Sequence, residues 1–205
     1  MELTDGALIE NFLKTKELIY FKTLIRRYQN RIYSASYRIL GNAEEAEEIV
    51  QDTFVKVHQN LDKFKEHANF SSWLFRISHN LCMDMMRAKQ RKNIFHLISF
   101  DPQASEDENV SFRVGDLPDE TPNPAQQLDS EEQERMIAES ITKLPDFQRT
   151  VLVLHDLEGF SYQEIAEITG ASIGTVRSRL HYGRVKLREL LEPYFSVSTV
   201  STASR

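Results

Sequence analysis

One segment governs how this chain can fold. Residues 101–135, DPQASEDENVSFRVGDLPDETPNPAQQLDSEEQER, carry eleven acidic residues against two basic ones and four of the chain's six prolines. A stretch so rich in like charge and proline buries too little apolar surface to repay its ordering entropy. It reads as a flexible acidic linker, placed at 101–129. A chain of 205 residues cut at this point makes two small domains rather than one continuous core. The expected organisation is therefore a domain over 1–100, the linker, a second domain over 130–195, and a Ser/Thr-rich disordered tail over 196–205.

Both flanking segments have the period of helices. Leu18, Phe21, Ile25, Tyr28, Ile32, Ala35 and Ile39 recur at steps of three and four, one stripe of a long helix, and Gly41 fits its C-terminal cap. Asn42 followed by Glu45 has capping-box spacing, and the acidic run at Glu44, Glu45, Glu47 and Glu48 suits the positive end of the next helix dipole. Ser71 is placed to cap a third helix carrying Trp73, Leu74, Ile77 and Leu81 as core, which runs into the basic stretch RAKQRK. In the second half, helices are expected over about 130–144 and 146–158, then a pair split at Gly170. Ser161 and Glu164 form a second capping box, Gly170 supplies a sharp turn, and Ser172 caps the last helix; this is helix-turn-helix spacing. Ile165, Ile168, Val176 and Leu180 are the expected wedge of core between the two. The predicted fold class is all-α, a helical bundle and a helix-turn-helix domain joined by the linker.

A net charge of −6 argues against a nucleic-acid partner only on average. Between Ser172 and Arg188 there are five basic residues and no acidic one, whereas residues 136–171 hold two basic and six acidic. Arg177, His181, Arg184 and Arg188 form a stripe apart from the apolar arc, with Ser178 and Tyr182 beside it. Phosphates attract such cations, and arginine pairs bidentately with guanine; a solvated basic helix is the plainer alternative. A second constellation, FSSWLFRISHNLCMDMMRAKQRK, places His79 and Asn80 among aromatics ahead of Arg87, Lys89, Arg91 and Lys92, a mixture suited to unpaired bases and their backbone. A third, the acidic helix with Gln51, Asp52 and Phe54, suits a protein partner better than DNA.

Other functions find little support. No run approaches the ~18 apolar residues of a membrane span, and the acidic N-terminus lacks the basic start of a secretory signal, pointing to a cytoplasmic protein without membrane insertion. The lone Cys82 is expected in the core. No set of residues has the spacing of a catalytic or metal site, and no phosphate-cradling glycine loop is present, so neither enzyme activity nor a cofactor or metal is expected.

In this order the parts resemble the extracytoplasmic-function group of bacterial sigma factors, the dissociable promoter-recognition subunits of RNA polymerase. RILGNAEEAEEIVQDTFVKVHQNLDKF looks like the polymerase-binding part of region 2, FSSWLFRISHNLCMDMMRAKQRK like its −10 recognition and melting part, and LPDFQRTVLVLHDLEGFSYQEIAEITGASIGTVRSRLHYGRVKLREL like region 4. The resemblance implies that Gln51, Asp52 and Phe54 meet the β′ clamp helices of core RNA polymerase, with region 4 meeting the β flap. It implies that Phe70, Ser71, Ser72, Arg76, His79, Asn80, Arg87, Lys89, Arg91 and Lys92 face the melted −10 strand. It implies that Ser172, Thr175, Arg177, Ser178, His181, Tyr182, Arg184 and Arg188 face the −35 promoter DNA. An anti-sigma factor clamping both domains is a further implied partner. A helix-turn-helix regulator that binds duplex operator alone is the rival reading, and it has no use for a strand-binding element.

Overall fold

A computed structural model describes residues 3–64, 69–98 and 135–198. The described residues are helical and contain no strand. Four helices make the N-terminal half: α1 (Asp5–Thr15), α2 (Leu18–Leu40), α3 (Ala43–Asn60), which ends in a 3₁₀ turn over Leu61–Lys63, and α4 (Phe70–Ile98). The C-terminal half holds α5 (135–142), α6 (Asp146–Leu152), a single π-helical turn over Val153–Leu157, α7 (Tyr162–Thr169) and α8 (Ile173–Ser198). The linker expected at 101–129 lies outside the described residues, as does the end of the tail, residues 199–205. Helix α8 itself continues through Pro193 to Ser198, further than the tail boundary expected at 196. Among the described residues no helix is long and apolar enough to cross a membrane.

The local signals act where they were expected. Gly41 closes α2 at φ 74°, the left-handed conformation that costs a glycine nothing. Asn42 caps α3 by accepting from the Glu45 amide at 2.9 Å. Ser161 and Glu164 complete a reciprocal capping box on α7, and Gly170 at φ 68° makes the turn into α8. One cap differs. Asn69, not Ser71, starts α4, its Oδ1 accepting from the Ser71 amide at 2.9 Å and the Ser72 amide at 3.4 Å. The Asn69 side chain, one residue before the helix, takes amides of the first turn that Ser71, already inside that turn, is not placed to cap.

In the predicted stripe of α2, Phe21, Tyr28, Ile32, Ala35 and Ile39 are buried and Ile25 is half-buried, but Leu18 is exposed, and Leu24 and Ser36 take central places. Helix α1, which the periodicity did not mark, supplies Leu8, Ile9 and Phe12 to the same core. Asp5 fastens it by accepting from the Tyr28 hydroxyl and the Arg27 guanidinium of α2. Cys82 is fully buried, its thiol pushed up to about 11 by burial. The wedge of Ile165, Ile168, Val176 and Leu180 is likewise buried, and α6 approaches α8 so closely that a Cβ on Gly183 would meet Gln148 at 3.4 Å.

The two halves do not stand apart. A single hydrophobic core runs from α1 to α8, and its crossing point is Phe75 of α4 against Phe160, edge to face with ring centroids 4.8 Å apart. Arg31 of α2 donates from Nε to the Glu158 carboxylate at 3.1 Å and from Nη2 to the Glu158 carbonyl at 3.3 Å. Arg149, buried in α6, donates to the Ile39 carbonyl of α2 and twice to the Leu144 carbonyl. Helix packing thus joins what the linker separates in sequence.

Candidate nucleic-acid interface

Helix α8 is docked by its inner face and open on its outer one. Val176 and Leu180 are buried against α7, while Arg177, Ser178, His181, Tyr182 and Arg188 are exposed. Ser172 caps the helix, its Oγ accepting from the Thr175 amide at 3.1 Å, and the two hydroxyls lie 2.8 Å apart. Thr175 is therefore half-buried and committed to the turn rather than held out to a ligand. The Arg177 guanidinium sits over the Tyr162 ring of α7, 5.7 Å from its centroid, a placement in which the ring face attracts the cation. Arg184 is exposed but not free: it pairs with Asp156 of the π-helical turn. The apolar arc expected on α8 is looser than its pattern, since Ile173 is exposed and Leu187 and Leu191 are half-buried.

On α4, Arg76, Asn80, Arg87, Arg91 and Lys92 are exposed and Ser71 half-exposed. Arg87 pairs with Asp84 at 3.0 Å, and Lys89 reaches Glu45 of α3 at 2.6 Å, which leaves Arg76, Arg91 and Lys92 as the unpaired cations of this face among the described residues. Phe70, Ser72 and His79 are buried, a correction to their expected place on a strand-facing surface. Phe70 packs on Tyr28, Phe64 and Trp73. The Ser72 hydroxyl donates to Glu164 across the seam at 3.2 Å, and His79 lies under the C-terminal half, its Nδ1 without a hydrogen-bond partner. Burial, with Arg87 and Arg179 nearby, pushes the His79 pKa down to about 4, so its ring is neutral at pH 7.

A cavity of about 240 Å³ opens beside His79, lined among others by Phe147, Thr150, Gly170 and Arg179. On α3, Gln51 and Asp52 are exposed, but Phe54 is buried against Phe21, because its position falls on the core arc of the helix. Val55, exposed beside them, is the apolar residue that the surface does present; its place one residue off the core arc was readable from the helical period.

The geometry is that of two packed helical halves, one with a basic helix exposed along its outer face and one with a basic, partly aromatic long helix. Residues 24–92 match the family described as Sigma-70 region 2, and residues 134–187 match Sigma-70, region 4. The chain is 37% identical over 171 residues to the ECF RNA polymerase sigma factor SigW of Bacillus subtilis, covering 83% of this chain and 88% of that one. It is 31% identical over 192 residues to the ECF RNA polymerase sigma-E factor of Haemophilus influenzae, covering 94% and 97%. Among solved structures it resembles the sigma factor RpoE of Bartonella quintana, determined in complex with the anti-sigma factor NepR, with a TM-score of 0.63 and 26% identity over 84% of this chain and 96% of that one. CnrH, determined with the cytosolic domain of CnrY, matches with the same TM-score and identity over 92% and 97%. With both regions matched in order and a relative of this identity spanning most of its length, the chain belongs to the ECF RNA polymerase sigma factors and is an alternative sigma factor directing promoter-specific transcription.

Proposed function

We propose that this sigma factor divides promoter recognition between its halves. Helix α3 docks on the β′ clamp helices of core polymerase through Gln51 and Asp52, with Val55 adding apolar contact. The C-terminal half meets the β flap, and α8 enters the major groove of the −35 element with Arg177, Ser178, His181 and Tyr182 toward the bases. Asn80 and Ser71 take an extruded base of the −10 strand while Arg76, Arg91 and Lys92 follow its backbone. Flipping a base costs a few kcal/mol, and capture in the open complex offsets that cost. Capture at Ser72 and His79 requires the two halves to part. No step makes or breaks a bond, so the role is that of an initiation factor acting in the cytoplasm, and an anti-sigma factor that holds both halves is the partner expected to restrain it.

The observation that carries this reading is the division of α8 into a buried inner face and an exposed outer face to which the helix itself contributes no carboxylate from Ser172 to Arg188. Holoenzyme assembled with Arg177→Ala should bind promoters more weakly by about 1 to 3 kcal/mol and lose preference at one −35 position. Asn80→Ala should leave that preference intact and lower permanganate reactivity of −10 thymines, with partial recovery on a pre-melted bubble. Wild-type base preference with Arg177→Ala would remove α8 from −35 reading, and wild-type reactivity with Asn80→Ala would remove α4 from strand capture.

A further inference from the structure

The π-helical turn Val153–Leu157 departs from the α-helical register between α6 and α7, and such turns are rare and frequent at functional sites. Here Asp156 is turned toward α8. Arg184 donates to it along one edge of the guanidinium, Nε to Oδ2 at 2.9 Å and Nη2 to Oδ1. His155 Nδ1 lies 2.7 Å from the same Oδ1; a carboxylate only accepts, so that ring nitrogen carries the hydrogen. His155 stacks on Tyr162 with centroids 5.0 Å apart and planes at 25°, and Tyr162 carries Arg177. Arg177 and Arg184 are seven residues apart, hence on one face of α8 and about 10 Å apart along it. Both are thus set by side chains from outside α8, but by different means.

Arg177 rests on a ring face. Arg184 is gripped along its Nε–Nη2 edge, and its outer Nη1–Nη2 edge is without a carboxylate among the described residues. That edge is a pair of parallel donors, the form that matches a two-acceptor group. A carboxylate beside a DNA-facing arginine subtracts from attraction to a polyanion. What it adds is direction: two hydrogen bonds to one carboxylate favour a single guanidinium orientation. The Arg184 guanidinium keeps the Asp156 carboxyl below the usual carboxylate range, so the carboxylate is charged and the two hydrogen bonds are charge-assisted.

We propose that Asp156 is a positioning residue for promoter recognition, which grips the inner edge of Arg184 so that its outer edge is presented as a fixed bidentate donor to the −35 duplex. The inference rests on α8 being the −35 reader. Two groups in duplex DNA have the matching chemistry, the N7/O6 edge of guanine and a pair of phosphate oxygens, and the experiment separates them.

Holoenzyme is reconstituted with full-length Asp156→Asn, Asp156→Glu, Arg184→Lys, Arg184→Ala or the Asp156→Asn/Arg184→Ala pair. Affinity is measured on promoters altered at each −35 base pair in turn, across a salt series. With guanine as the acceptor, Asp156→Asn and Arg184→Lys each lose discrimination at one G·C pair by about tenfold, while Asp156→Glu restores most of it. With phosphate as the acceptor, Asp156→Asn weakens all sequences alike, and Arg184→Ala reduces the salt slope by about one. In both cases Asp156→Asn adds nothing further to Arg184→Ala.

The proposal is overturned if Asp156→Asn tightens binding to every sequence, since the acid then only offsets charge. It is overturned if Asp156→Asn lowers the melting temperature with binding unchanged, since the pair is then a tether between α8 and the turn. It also falls if the effect of Asp156→Asn persists without Arg184. Should Asp156→Asn fail to fold, Arg184→Lys carries the same test. Loss of discrimination with Arg177→Ala but not with Asp156→Asn or Arg184→Lys removes the positioning role alone; wild-type discrimination in all three removes the −35 reading with it.

Discussion

Glu164 Oε1 accepts a hydrogen bond from Asn69 Nδ2 at 3.0 Å, across a sequence separation of 95 residues. Both residues are also helix caps. Asn69 starts α4, and Glu164 closes the capping box of α7 through its other oxygen, Oε2, which accepts from the Ser161 amide at 2.9 Å. The start of α4 and the start of the helix-turn-helix are therefore joined through one carboxylate, with the Ser72 hydroxyl as a third donor. The amide and hydroxyl donors around Glu164, led by Ser161, hold its carboxyl below the usual range.

The link should be measurable as a coupling. Glu164→Ala and Asn69→Ala each remove a cap, costing about 1 kcal/mol apiece, so the single variants do not isolate the contact. A double-mutant cycle in urea does. We expect a coupling of about 0.5 to 1 kcal/mol, as suits a partly exposed charged hydrogen bond. Additive losses would mean that each residue serves only its own helix.

His79 makes the packing sensitive to acid. Its pKa is about 4 when folded, against an ordinary value near 6.5, so between these values the unfolded chain binds the additional proton. Stability contributed by the neutral ring is complete above pH 6.5 and is lost as pH falls toward 4. At its fullest this amounts to about 3 kcal/mol. Melting temperatures of the wild type and His79→Gln followed from pH 7.5 to 4 should converge at low pH. Parallel curves over that range would show that His79 keeps an ordinary pKa.

Arg149 is the buried cation that ties α6 to α2 and to the turn between α5 and α6. Its guanidinium serves the Leu144 and Ile39 carbonyls and pairs with Asp146 at 3.1 Å. Arg149→Leu keeps apolar bulk but leaves two carbonyls without their donor, and it should destabilise the protein by about 2 to 4 kcal/mol in urea denaturation. Arg149→Lys should recover only part of this, because a single ammonium cannot span acceptors on α2 and on the turn between α5 and α6. Equal stability of the Arg149→Lys variant and the wild type would reduce the interaction to its charge.

The sequence by itself determined the helices other than α1, and the inner face of the helix-turn-helix, because caps and the 3.6-residue period act within a few residues. Asn42, Ser161, Gly41 and Gly170 do what their types and spacing imply, and Val176 and Leu180 lie on the face that their period assigns. The exposure of Arg177, Ser178, His181 and Tyr182 follows from the same period. Only the tertiary structure decided which polar candidates remain available. Phe54 and Phe70 went to the core because aromatic area gains most by burial, and Ser72 and His79 went under the opposite half. Arg184, Lys89 and Arg31 found carboxylates on other elements, at Asp156, Glu45 and Glu158. Pairings of this kind join residues 28 to 127 positions apart. No local spacing encodes them, because they depend on how whole helices pack and not on the neighbours of any one residue.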